Sequence, residues 1–188
     1  MKMFIIIILM FCLGSLASQI ATGDLNGDGV QDQVELIWRE DSKIPPNLII
    51  TLKNKKGTIQ KIQSPKAVWQ APASKLSIIK GILHIYYEGG GRSKWTDIYK
   101  WRLDSSKKDF VLIGRTYEIE DTIGDYPKER VDANYSTGKI QRTIGKKKKS
   151  CFFGSSKKIH LTTFDFVWGS IEGLDQINKA CPIKGVVD

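Results

Sequence analysis

Histidine is scarce in this chain of 188 residues, with only His84 and His160 present. Two such distant residues cannot furnish a zinc finger or an HExxH helix, and neither pattern occurs. Cysteine is almost as rare, with three copies. No GxSxG nucleophile elbow and no Walker phosphate loop is present. Prolines number six, and those at Pro45-Pro46 and from Pro65 to Pro72 mark loops rather than domain boundaries. The apolar run from Phe4 to Leu13 spans ten residues. A membrane-crossing helix needs about 20.

What is present suits one folded domain. Hydrophobic residues make up 41% of the chain and aromatics 10%, enough for a proper core. Global disorder and a multidomain enzyme are both excluded. The net charge of +9 points to an anionic partner without naming one.

The first residues, MKMFIIIILMFCLGSLAS, run from a single cation through an apolar middle to small residues at Ser15 and Ala17. That order is the order of a secretory signal peptide, with cleavage expected after Ala17 or Ser18. The competing reading is a buried N-terminal strand. Residues 1–17 are therefore assigned as the signal and 18–188 as a single β-rich domain, periplasmic or secreted, without a transmembrane span. Lipidation at Cys12 is not expected, because Met10 and Phe11 occupy positions that call for small residues. Cleavage leaves Cys151 and Cys181, an even pair in an oxidising compartment, and a disulfide between them is expected. Free thiols are the alternative, since a metal site would lack partners.

After the signal comes GDLNGDGVQDQVELIW. Counted from Asp24, side-chain oxygens fall at position 1 (Asp24), 3 (Asn26), 5 (Asp28), 9 (Asp32) and 12 (Glu35), and Val30 offers its carbonyl from position 7. Calcium takes six to eight oxygens, and Gly29 at position 6 supplies the sharp turn, so calcium is the expected cofactor. The bland alternative is a solvated Asx-turn loop. An EF-hand is not expected, because Val34, Leu36 and Trp38 alternate as a strand does. From Gly23 to Ile37 the segment resembles the DxNxDG loops of FG-GAP and VCBS-type repeats in exported bacterial proteins. Glu35 departs from those repeats, which place an apolar residue there, and without a second copy no propeller is supported. A looser likeness, carried by the Gly89-Gly90-Gly91-Arg92 segment and the Asn134 to Lys139 turn, is to exported bacterial proteins of uncharacterised function. It implies an all-β exported protein and no activity.

Downstream the signals are β. Hairpins are predicted over 47–53 with 58–63, 76–79 with 82–87, 94–103 with 110–116, and 130–135 with 139–144. A last strand is predicted over His160–Val167 and a short helix over Ser170–Ala180, where Ile171, Leu174 and Ile177 recur at helical spacing. The expected fold is all-β, an antiparallel meander closing as a sandwich or open barrel with one short C-terminal helix.

Catalytic patterns are thin. Ser136 and Lys139 have Ser-x-x-Lys spacing but fall in a turn, without the companion motifs of penicillin-binding enzymes. Glu118, Glu120, Asp121 and Asp125 offer paired carboxylates for glycoside hydrolysis or, more plainly, a solvated edge. His84 reads as a partly buried strand histidine. Tyr86, Tyr87, Arg92 and Trp95, around the glycines at 89–91, form a candidate binding surface, with core packing as the alternative.

Between Ala133 and Phe164 there is no acid but eight cations, including Lys146, Lys147, Lys148 and Lys149. This window supplies nearly the whole charge excess and reads as a hairpin tip. It suits anionic lipid headgroups, cell-wall polymers or an acidic protein; nucleic acid is not expected, and a solvated tip that guards a sheet edge is the plain alternative. The leading expectation is an exported, calcium-stabilised, non-enzymatic binding domain, such as a periplasmic inhibitor or immunity-type protein, whose partner is a protein or an anionic envelope polymer. A small envelope hydrolase and a structural envelope component are the rivals.

Overall fold

The computed structural model describes residues 16–39, 47–64, 75–152, 158–164, 177 and 179–182. Among the described residues eleven strands form two antiparallel sheets. The smaller holds β1 (Leu16–Gly23), β2 (Asp32–Arg39), β3 (Asn47–Asn54) and β4 (Gly57–Gln63), in that order. The larger is a seven-stranded meander of β5 (Lys75–Ile79), β6 (Ile82–Gly89), β7 (Ser93–Asp104), β8 (Asp109–Asp121), β9 (Glu129–Asn134), β10 (Lys139–Ile144) and β11 (Lys147–Phe152). The expected all-β architecture is present, as a sandwich.

Alternation drives the packing. Val34, Leu36, Leu48, Ile50, Leu52 and Ile62 point inward from the small sheet. Leu83, Ile85, Tyr99, Trp101, Phe110 and Leu112 meet them from the large one. Burying such side chains stabilises by about 1.5–3 kcal/mol each, so these two faces carry most of the fold's driving force. Phe164 closes one side, its ring 5.2 Å from Trp101 and 5.6 Å from Tyr99. Two backbone details set the closure. Lys80 (φ 51°) and Gly81 (φ 73°) make the mirror-image turn that suits a two-residue hairpin. Gly23 brings β1 so near β5 that an added Cβ would stand 2.7 Å from Ile78 Cγ2.

A second cluster joins Val131, Ala133 and Ile140 to Ile177 and Cys181. The disulfide Cys151–Cys181 closes it, with Cα atoms 5.5 Å apart. Of the predicted C-terminal helix only Ile177, Lys179 and Ala180 are described, and they are helical, with the Cys181 N–H bonded to the Ile177 carbonyl at 2.8 Å. The signal stretch at 4–13 lies outside the described residues.

Three expectations need correction. The preferred sequence reading places no strand ahead of the acidic loop, an N-terminal strand being only its competitor, yet β1 pairs with β2 from Leu16 to Gly23. His160–Val167 does not open as a strand: His160 makes a single bridge to Val111, and Leu161–Thr163 is a 3-10 turn. Leu161 and Phe164 are both buried three residues apart, a spacing that a 3-10 turn serves and an alternating strand does not. Residues 165–167 lie outside the described set. The lysine run is not a hairpin tip either. Only Gly145-Lys146 turns, and Lys147–Phe152 pairs with β10 along its length as an edge strand. Charged side chains are tolerated there because one side of the strand faces water.

Candidate functional site

The acidic loop between β1 and β2 is folded by its own side chains. Asp24 accepts the Gly27 N–H at 2.7 Å and the Gly29 N–H at 2.9 Å. Asn26 accepts the Asp28 N–H at 3.0 Å, and Asp28 accepts the Val30 N–H at 2.8 Å. The Gly29 bond is the main reason the Asp24 carboxyl sits below its usual range; partial burial opposes it and the Gly27 bond reinforces it. Asp32 behaves differently. It is fully buried, and its two oxygens accept the N–H groups of Leu25 and Lys53, both at 2.7 Å. It therefore pins the loop to the end of β3. Glu35 lies one parity off, opposite Ile20 and Ile49 on the outer face. Among the described residues no three His, Cys, Asp or Glu side chains converge as a metal shell.

A cleft of about 620 Å³ opens beside this loop, lined by Asp24, Asn26, Lys80, Arg102 and Ser105 among others. Its lining mixes one acid with two cations, so it carries no strong field of either sign.

The aromatic surface expected around the triple glycine divides between two faces. Tyr86 points outward, half-buried, with its hydroxyl 3.3 Å from His84 Nδ1 and 3.5 Å from Ser77 Oγ. Tyr87 points inward and is 3% exposed, edge-on to Tyr99 at 5.8 Å. Successive strand residues take opposite faces, so adjacent tyrosines cannot share one. Trp95 packs against the core over Gly89, where an added Cβ would meet its ring at 2.8 Å. Of the four, Arg92 is the exposed one, paired with Asp125 and lying 3.6 Å from Asp121.

The carboxylates considered for hydrolysis are held in ion pairs. Lys128 reaches Glu118 at 2.5 Å and Glu120 at 3.5 Å, and Arg130 bridges Glu118 at 3.2 Å and Asp132 at 2.8 Å. The hydrogen bond from Lys128 chiefly holds the Glu118 carboxyl below its usual range; slight burial opposes it and Arg130 adds to it. A glycosidase acid needs the opposite shift. Ser136 and Lys139 flank a hairpin turn in which Thr137 N–H bonds Asn134.

No protein family, curated protein or solved structure matches this chain. The site must be read from its own geometry.

The meander brings distant candidates to one end of the large sheet. The β6–β7 turn with Arg92, the β8–β9 loop and the β10–β11 turn with Lys146 all lie there. They touch: Thr122 N–H bonds the Arg92 carbonyl at 2.9 Å, and Gly145 N–H bonds the Lys128 carbonyl at 2.9 Å. The sequence reading missed Ile123 and Tyr126 on this end, 61% and 64% exposed. The available signal was an isoleucine and a tyrosine inside an otherwise polar Gly- and Pro-bearing loop. It also missed the buried pair Asp97–Arg115, since the register that joins them is not written in either strand.

Proposed function

We propose that this chain is an exported β domain that works by binding an anionic envelope partner, protein or polymer, rather than by catalysis. The observation carrying this reading is the end of the large sheet, where Lys94, Lys146 and Lys148 are exposed and, among the described residues, lack ion-pair partners. The nearby acids Glu118, Glu120, Asp121, Asp125 and Asp132 are shared among Arg92, Lys128 and Arg130, and the three lysines tip this end to a small positive excess. Cleavage after Ala17 fits the sheet, because the pairs from Ser18 with Ile37 to Gly23 with Asp32 remain.

The mature protein immobilised on a resin is expected to retain envelope components at low salt and release them as salt screens the lysines. Retention of nothing would overturn the reading. So would turnover of a sugar or peptide substrate that disappears in Glu118→Gln.

Calcium belongs to the same proposal in a reduced form. Asp24, Asn26, Asp28 and the Val30 carbonyl are hard oxygen donors of the right type on the open side of the loop; Asp32 is fully buried and turned toward the N–H groups of Leu25 and Lys53, and Glu35 is on the outer face. Two carboxylates with one amide and one carbonyl make a weak site, in the range of about 10⁻⁴–10⁻³ M found for extracellular modules. Calcium would screen the Asp24–Asp28 repulsion and brace the loop. Millimolar calcium is expected to raise the melting temperature relative to EGTA, and Asp24→Ala to abolish the difference. Identical melts in both solutions would remove calcium from the account.

A further inference from the structure

The β8–β9 loop is built more firmly than a connector needs. The Asp121 side chain, only 2% exposed, accepts N–H bonds from Ile123 (3.2 Å), Asp125 (3.1 Å) and Tyr126 (3.3 Å). Burial works against its ionisation, but those N–H groups together with Arg92 outweigh it, and the carboxyl sits below its usual range. Thr122 adds a second anchor, its hydroxyl donating to the Arg92 carbonyl at 2.7 Å. On this fixed frame Ile123 and Tyr126 project into solvent. A single exposed apolar side chain needs no explanation, but two on one stapled loop do. The staple also means that little conformational entropy is lost when the loop docks.

The surroundings identify what the loop fits. Pro127 and Lys128 abut the Gly145-Lys146 turn, so the apolar tips stand beside the lysine-rich edge. Among the described residues Lys94, Lys146 and Lys148 have no ion pair, and with Arg92, Lys128 and Arg130 they outweigh by one charge the five carboxylates shared among those three. Protein interfaces favour arginine and are depleted of lysine, whereas clustered lysines suit the diffuse field of a charged bilayer. Tyrosine concentrates at the headgroup level of membranes, where its ring is buried and its hydroxyl stays wet. Both apolar side chains sit on protruding turns, a shape that enters a soft surface without needing a matching pocket.

We propose that this end of the seven-stranded sheet docks on an anionic lipid bilayer, with Ile123 and Tyr126 entering the interface and Lys94, Lys146 and Lys148 meeting lipid phosphates. The inference rests on the reading of the chain as a binder of anionic envelope partners and goes beyond it, from a protein or polymer to the lipid surface.

The test is co-sedimentation of the mature protein with vesicles of phosphatidylcholine alone and of phosphatidylcholine mixed with phosphatidylglycerol. Binding is expected to the mixed vesicles only, weakening as salt rises. Ile123→Ser with Tyr126→Ser is expected to lower affinity about tenfold or more, and Lys146→Ser or Lys148→Ser about fivefold each. Tyr126→Trp should preserve binding and report insertion by a blue-shifted fluorescence. Thermal melts of the serine variants should match the parent, since these side chains are largely exposed. Equal binding of the parent and the Ile123/Tyr126 double variant would overturn the proposal. A parent that ignores vesicles yet retains an envelope protein in a salt-sensitive way would overturn the bilayer alone. Failure in both experiments would remove the parent reading as well.

Discussion

Arg115→Met is expected to destabilise this fold by about 3–5 kcal/mol, the usual cost of stranding one member of a buried ion pair. Arg115 sends Nε to Asp97 Oδ1 at 2.8 Å and Nη2 to Oδ2 at 2.7 Å, a bidentate pair with residues 2% and 5% exposed. Its guanidinium also lies 5.1 Å over the Tyr99 ring. Burial disfavours the Arg115 charge, but the hydrogen bonds with Asp97 outweigh it and hold the group charged well beyond its ordinary range. Without Arg115 the Asp97 carboxylate remains between the sheets with no cation. For a domain of this size each kcal/mol moves the melting temperature about 2–4 °C, so a fall of roughly 6 to 20 °C is expected. Arg115→Lys should recover only part, because an ammonium cannot reproduce the planar fork. The double variant Asp97→Leu with Arg115→Met should recover most of the loss, since removing both charges leaves nothing stranded. Urea denaturation of the three variants checks this. A single variant within about 0.5 kcal/mol of the parent, the range of ordinary surface changes, would sink it.

Replacing Cys151 and Cys181 together with serine is expected to cost about 3–4 kcal/mol. The bridge spans 30 residues, and the loop-closure entropy it removes from the unfolded chain corresponds to about that amount. The loss should be local in its first stage. Beyond the bridge, β11 is tied to the C-terminal segment by Lys149 Nζ to the Pro182 carbonyl at 2.6 Å, and β10 by Arg142 Nη1 to the Cys181 carbonyl at 3.1 Å. Hydrogen exchange is therefore expected to accelerate over β11 and around Ile177–Pro182 while β6, β7 and β8 keep their protection. Uniform acceleration across both sheets would show that the bridge supports the whole sandwich instead.

Much of the fold was legible because its signals are local. Lys80-Gly81 announces a two-residue turn, and Leu48, Ile50 and Leu52 announce one buried face. The parity that groups Trp95, Asp97, Tyr99 and Trp101 is plain in the sequence as well, and all four turn toward the core. What stayed hidden depends on pairing. Asp97 meets Arg115 through the β7–β8 register, which shifts at a bulge between Lys100 and Trp101. β11 was hidden by composition, since a lysine run has weak strand preference and is held in place by β10 and the disulfide. The clustering of Arg92, Tyr126 and Lys146 follows from the even spacing of turns in a meander. No single segment displays it.

β1 bears on the order of events during export. Under the export proposal the expected cut after Ala17 falls within a paired strand, where Ala17 is opposite Trp38 and Leu16 opposite Arg39. A signal-cleaving protease must hold an extended, unpaired backbone, and a formed ladder denies it one. Removal of the proposed leader would therefore have to come before β2 closes on β1. Under that proposal the small sheet would act as a clock: once it had zipped to its outer end, the chance to mature the chain would have passed.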